Sequence, residues 1–244
     1  MARKLFWAVL ALVSVLAGPA SALRVIVISD LNGSYGSTGY SRRVPVAIQR
    51  IIALKPDLVI STGDMVAGQR KPVLSEGEVR AMWAAFHRVV SDPLARAGIP
   101  LAVTPGNHDA SVAAPWQETF ALWREYMASD DPATGHNDQQ DLFPSLRVRG
   151  DIAFIGLSTA CPKPPLMATG TVDKEQLRRL PVLLDQAREN GQFRVVHLHH
   201  SPLPGKEKWR KRLTNAREVL EIIVRHGAEL VLHGHGHRAH FDEL

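Results

Sequence analysis

The chain carries a single cysteine, Cys161, in 244 residues. No intramolecular disulfide can form, and no cysteine cluster can hold a metal. A thiolate nucleophile is the remaining option. Cys161 sits in the run Cys161-Pro162-Lys163-Pro164-Pro165 with no histidine beside it, which argues against that role. Aromatic residues are scarce, at 6%. They do not interleave with basic residues as in a single-strand-binding surface, so no specific nucleic-acid partner is expected. No repeat or low-complexity tract is present. Hydrophobic content of 45% beside 22% charged residues is ordinary for a globular chain, and the length suits one α/β domain.

Long apolar runs are also missing, except at the start. Arg3 and Lys4 precede an apolar stretch from Leu5 to Gly18, and Ala20-Ser21-Ala22 follows. That order is the signature of a secretory signal peptide. The stretch is shorter than the ~20 residues of a membrane-spanning helix. We expect residues 1–22 to be the signal, with an uncleaved anchor as the alternative, and residues 23–244 to be the exported domain. Its expected place is the periplasm or the cell exterior, with no stable membrane span after cleavage. The formal charge of +5 then becomes +3, with 27 basic against 24 acidic residues. Such a surplus mildly favours anionic substrates.

What is present is a recurring pattern. Arg24 to Ser29 reads as a buried strand ending at Asp30. Leu58 to Ser61 ends at Gly63-Asp64. Pro100 to Thr104 ends at Gly106-Asn107-His108-Asp109. Phe193 to Leu198 ends at His199-His200, and Glu229 to Leu232 at His233-Gly234-His235-Gly236-His237. Helical spacing covers Val44–Leu54, Glu76–Ala97, Trp116–Met127, Val172–Glu189 and Trp209–His226. A polar loop follows from Ser129 to Asp141, and a hairpin is expected across Gly150-Asp151. Five strands thus stop within a few residues of metal-type ligands. Open α/β sheets bind at the carboxyl ends of their strands, so these segments can converge on one site.

Asp30-Leu31-Asn32, Gly63-Asp64, Gly106-Asn107-His108-Asp109, His199 and Gly234-His235-Gly236-His237 together resemble the calcineurin-like metallophosphoesterase family. The resemblance implies an α/β fold, a four-layer α/β/β/α sandwich with two mixed sheets. It implies a hydrolase of phosphomonoesters or phosphodiesters with two divalent metal ions. Asp30, Asp64 and His237 would hold the first, and Asp64, Asn107, His199 and His235 the second. Two cations ~3.5–4 Å apart need a bridging carboxylate, for which Asp64 is the natural choice. Mixed oxygen and imidazole ligands suit Mn, Fe, Zn or Ni better than calcium. A metal-activated hydroxide would be the nucleophile. His108 would stabilise the transition state or protonate the leaving oxygen, and Asp109 would orient or charge-stabilise His108. Gly106 and Gly234 are expected where backbone approaches the site closely.

Two features depart from the family pattern. Its Asp-x-His is here Asp30-x-Asn32, so Asn32 would offer a weaker oxygen ligand, with Tyr35 or water completing the first site. No tyrosine follows Gly63-Asp64, so no iron-tyrosinate site is expected. The chain also ends seven residues after His237, whereas the family continues with further strands of the second sheet, so we expect either a domain truncated at the C-terminus or an exposed sheet edge. The terminal Phe-Asp-Glu-Leu we read as a coincidental match to a retention signal. The alternative function is a metal-binding pseudoenzyme or sensor with an impaired first site. His200 is the second choice to His199 as a ligand. His197 is expected to be a satisfied core histidine and His233 a structural one. His87, His136, His226 and His240 are expected at the surface or in packing. Lys206 to Arg212 reads as a solvated helix start, with attraction for a phosphate or lipid headgroup as the other reading. Ser34 and Tyr35 serve either the loop or the site.

Overall fold

The computed structural model describes residues 22–68, 72, 74–110, 143–161, 163 and 166–243. The expected signal peptide, the Trp116–Met127 helix, the Ser129–Asp141 loop and His136 lie outside these residues.

Strands β1 (Val25–Ile28), β2 (Leu58–Ser61) and β3 (Leu101–Val103) form a parallel sheet in the order β1-β2-β3. Strands β4 (Ser145–Arg149), β5 (Ile152–Gly156), β6 (Phe193–His197) and β7 (Leu230–Leu232) form a mixed sheet in that order. β4 and β5 are the expected hairpin, and β5, β6 and β7 run parallel. The first sheet carries helix α1 (Arg43–Leu54), which buries Val44, Ile48 and Ile51 at helical spacing. It also carries α2 (Glu76–Phe86), opened by a capping box between Ser75 and Glu78. A wide π-turn over His87–Ser91 leads from α2 into α3 (Asp92–Arg96). The single helix read from Glu76 to Ala97 is therefore interrupted, just ahead of Pro93, which lacks an N–H for a regular turn. The second sheet carries α4 (Lys174–Glu189), which buries Leu180 and Leu184, and α5 (Ala216–His226), which buries Val219 and Ile223.

Three apolar layers result. One lies between α1 to α3 and the first sheet, and another between α4, α5 and the second. Between the sheets, Leu58, Ile60 and Ala102 meet Phe154 and Val195. This is the expected four-layer order. Among the described residues no helix is long and apolar enough to cross a membrane.

Two expectations change. β1 is less buried than its β-branched run suggested, with Val27 41% exposed, because it is the outer strand of the described sheet. The helix expected from Trp209 begins only at Ala216. The basic stretch before it is held instead as an irregular segment beside the loop containing Gly170, which pairs with Leu213.

His197 lies inside the fold beside Gly156, where a β-carbon would stand 2.8 Å from its ring. Its Nδ1 has no hydrogen-bond partner among the described residues, so it is a core histidine but not a satisfied one. Burial lowers its pKa to about 4. A group depressed in the folded state adds stability above its unfolded value of ~6.5, and that stability is lost as pH falls toward 4. Denaturant unfolding from pH 7 to 4 should show His197→Gln losing about 3 kcal/mol less than wild type. Parallel curves for the two proteins would refute this.

Candidate metal centre

The strand ladders continue past the strands and set the ligand loops side by side. Asp30 N–H donates to Gly63 O at 3.0 Å, and Gly234 N–H to His199 O at 3.0 Å. The two sheets are tied at this end. His199 Nδ1 lies 2.8 Å from Thr62 O, and His235 N–H donates to Asp30 Oδ2 at 3.0 Å. These bonds join four ligand-bearing segments, and His108 N–H, donating to Asp64 Oδ1, joins the fifth.

Four candidate ligands hold a left-handed backbone: Asp30 (φ 55°), Asp64 (φ 55°), His235 (φ 67°) and His237 (φ 51°). A non-glycine residue there costs ~1–3 kcal/mol, and such strain clusters at functional sites. The turns also need glycine where backbones touch. A β-carbon on Gly106 would meet Asp64 Oδ1 at 2.2 Å, and one on Gly234 would meet Ser29 Oγ at 1.9 Å. The close approach expected of both glycines is present.

His199 is the centre of the cluster and is fully buried. A carbonyl only accepts, so its Nδ1 carries the proton given to Thr62 O. That fixes the tautomer and turns the Nε2 lone pair inward. Around this Nε2 stand Asp64 Oδ2 at 3.3 Å, Asn107 Oδ1 at 3.3 Å and His235 Nδ1 at 3.2 Å. Bonds of 2.0–2.1 Å to one tetrahedral cation would put ligands about 3.3 Å apart. The spacing and the donor chemistry fit a divalent metal. Asp64, His199 and Asp30 also lie close enough to share an ion. Asp30 Oδ1 faces His237 Nε2 at 3.2 Å. Asn32 is placed by its backbone, whose N–H donates to Asp64 O at 3.1 Å.

The electrostatics place a positive charge beside Asp64. Burial disfavours the Asp64 carboxylate, yet His199 and His108 outweigh it and hold its pKa far below the usual range. Burial likewise opposes charge on His199, but Asp64 raises it to about 9. His235 is pushed down to about 3 by burial and then by His199. Without a cation, the positive charge held against Asp64 is a second proton on His199 Nε2, which a metal bound there would displace.

His200 stacks against this group, 4.4 Å from the His235 ring. Its Nε2 faces Ala168 O at 3.0 Å and must carry the proton, so Nδ1 accepts from Thr159 Oγ1 at 2.7 Å. Both nitrogens are engaged and burial keeps the ring neutral. His200 is a packing partner of the cluster, not a donor to it.

His108 is placed over the cluster by its N–H, which donates to Asp64 Oδ1 at 2.9 Å. Its Nε2 lies 3.9 Å from Asp64 Oδ2, and Tyr35 packs on its ring at 5.2 Å. Burial lowers its pKa, with Asp64 opposing.

Asp109 does not orient His108. Its buried Oδ2 accepts from Asp64 N–H and Gly106 N–H, both at 2.8 Å, and Oδ1 accepts from Met65 and Val66 N–H, both at 2.9 Å. It clamps the Asp64 turn to the Asn107 turn. Burial and then Asp64 raise its pKa to about 7, against the pull of the amide donors.

Among the remaining histidines, His87 meets Ser91 Oγ at 3.1 Å and His226 meets Asp185 Oδ2 at 2.9 Å. His233 and His240 face one another at 5.1 Å, away from the cluster. The Cys161 thiol donates to Thr169 O at 3.5 Å.

The profile described as calcineurin-like phosphoesterase matches residues 23–239. Among solved structures, a dimetal phosphatase from Danio rerio superposes with a TM-score of 0.63 at 12% identity, over 88% of this chain and 82% of that one. The TT1561 protein of Thermus thermophilus superposes with a TM-score of 0.50 at 18% identity, over 87% and 81%. At these identities the likeness is one of fold. No curated protein sequence matches the chain significantly.

Proposed function

Because this chain belongs to the calcineurin-like phosphoesterase family, and so is a metal-dependent phosphoester hydrolase, we propose that it works with two divalent cations sharing Asp64. The carrying observation is the convergence of Asp64, Asn107 and His235 on the inward lone pair of His199 at 3.2–3.3 Å. Those four residues would hold one ion, and Asp30, Asp64 and His237 the other. The donor mix suits Mn, Fe, Zn or Ni. When bound, the cations would polarise the phosphoryl oxygens and lower the pKa of a water. The chain's own residues do the rest. Asp64 is fixed at Oδ1 by the His108 N–H and keeps Oδ2 for the ions. His108 faces the cavity over the cluster, where its ring N–H can donate to the leaving oxygen. Sequestration of His199 and Asn107 from solvent strengthens every interaction with the phosphate charge. Export through the N-terminal segment fits the sequence and belongs to the same proposal.

Turnover of p-nitrophenyl phosphate and bis(p-nitrophenyl) phosphate with added Mn tests the reading. Tight metal binding without turnover on any divalent ion would favour the pseudoenzyme alternative instead. His108→Gln should lower kcat by roughly 10²–10⁴-fold with metal content unchanged. The loss should be larger for an alkyl than for a p-nitrophenyl leaving group, since only the former needs a proton. Equal losses would remove the general-acid role. Asn32→His should raise the affinity of the Asp30–His237 site about tenfold, as imidazole replaces an amide oxygen. Unchanged stoichiometry and affinity in calorimetric titration would place residue 32 outside the ligand set.

A further inference from the structure

We infer that the substrate carries, beyond the scissile phosphate, a flat apolar group and a second negative charge. This rests on the phosphoesterase reading and adds the substrate class to it. A cavity of ≈ 580 Å³ opens over the donor cluster, a size that takes an organic ligand rather than a bare phosphate. Its floor is the cluster with His108. Its wall is Leu166 together with the segment from Lys208 to Lys211, and Tyr35 stands beside His108.

The wall is built. Ala168 N–H donates to Arg210 O at 2.8 Å, Gly170 N–H to Arg212 O at 3.2 Å, and Lys211 N–H to Lys208 O at 2.8 Å. The first two bonds pin the basic segment to the neighbouring loop, and the third closes a turn within the segment. The Arg210 guanidinium lies 4.8 Å from the centre of the Trp209 ring. Trp209 is nevertheless 61% exposed, Tyr35 55% and Leu166 80%. Leu166 holds that position on a left-handed backbone, φ 73°, unusual for a leucine. Exposed apolar groups rimming an active-site cavity mark a surface that a ligand covers.

The charge supplies the second half. Among the described residues, Lys208, Arg210 and Lys211 form no salt bridge, whereas Lys206 is taken by Asp242. The scissile phosphate would already be met by the bound cations and His108. Three further cations on the same cavity call for a further anion. The sequence favoured a solvated helix start for Lys206 to Arg212; the wall accords with its other reading, attraction for a phosphate, and places Trp209 on the cavity rather than in a helix.

The test uses the full chain at saturating Mn. Adenosine 5′-diphosphate, pyrophosphate, adenosine 5′-monophosphate and adenosine are compared as competitors of p-nitrophenyl phosphate hydrolysis, and by equilibrium dialysis. The diphosphate nucleotide should bind about tenfold or more tightly than pyrophosphate, and adenosine most weakly. Trp209→Ala should erase the advantage over pyrophosphate, and Trp209→Phe should keep most of it. Lys208→Ser with Arg210→Ser should erase the advantage of the diphosphate over the monophosphate. Pyrophosphate binding as tightly as the nucleotide, or a Trp209→Ala protein that retains its metal and the nucleotide preference, would overturn the inference. Absent turnover beside a retained preference in dialysis would sink the hydrolytic reading, and with it the word substrate, while the wall would stand as the site of a ligand of this chemistry.

Discussion

Asp64→Ala should strip the protein of both proposed cations and lower kcat/KM by roughly 10⁴-fold, since two such ions would supply several kcal/mol of transition-state stabilisation. The reason is position. Asp64 Oδ2 faces His199 Nε2, its Oδ1 accepts from the His108 N–H, and Asp30 lies within reach of the same ion. One substitution would therefore remove a ligand from each proposed set and the tether of the residue above them. It also leaves the buried His199 without its anion. Asp64→Asn keeps the shape and removes only the charge, so it should lose metal almost as fully. The measurement is metal content after dialysis, beside turnover of bis(p-nitrophenyl) phosphate. One full equivalent retained by the alanine variant would mean that the carboxylate is not shared.

Asp109→Ala should be the most destabilising single change near the site, by about 4 kcal/mol or more. Four buried N–H groups would lose their acceptor, and each costs ~1–3 kcal/mol when left unmet. Asp109→Asn keeps one carbonyl oxygen, and so should lose about half as much. Urea unfolding of the metal-stripped chains reads this directly. The competing idea, that Asp109 tunes His108, predicts the reverse: nearly unchanged stability and a displaced pH–rate profile. The clamp also explains why metal affinity should drop in Asp109→Asn, although Asp109 offers no atom to the cluster. It sets the spacing of Asp64 and Asn107 through their backbone.

Much of the fold was legible because it is local. β-branched runs gave the strands, helical spacing gave α1 and α4, and turn glycines marked the strand ends. The hairpin across Gly150-Asp151 stands as expected. Boundaries failed where neighbours override propensity. Trp209 to Asn215 has helical composition, yet its backbone pairs with the Gly170 loop instead. β1 has a core composition, yet Val27 is partly exposed because its exposure depends on what flanks the strand.

The site divides in the same way. The sequence by itself determined which residue types stand at the ends of five strands. A strand end fixes its loop within a few residues, and parallel strands point their carboxyl ends the same way. Only the tertiary structure decided what each side chain does there. Thr62 selects the tautomer of His199 across 137 residues, and Asp109 takes the Asp64 N–H across 45. Thr159 and Ala168 occupy both nitrogens of His200, and the basic segment becomes a cavity wall. A hydrogen bond depends on distances of a few tenths of an ångström between groups far apart in the chain. Sequence spacing carries no record of those distances, so the ligands could be read from the sequence, while their tautomers, their clamp and the shape of the cavity above them could not.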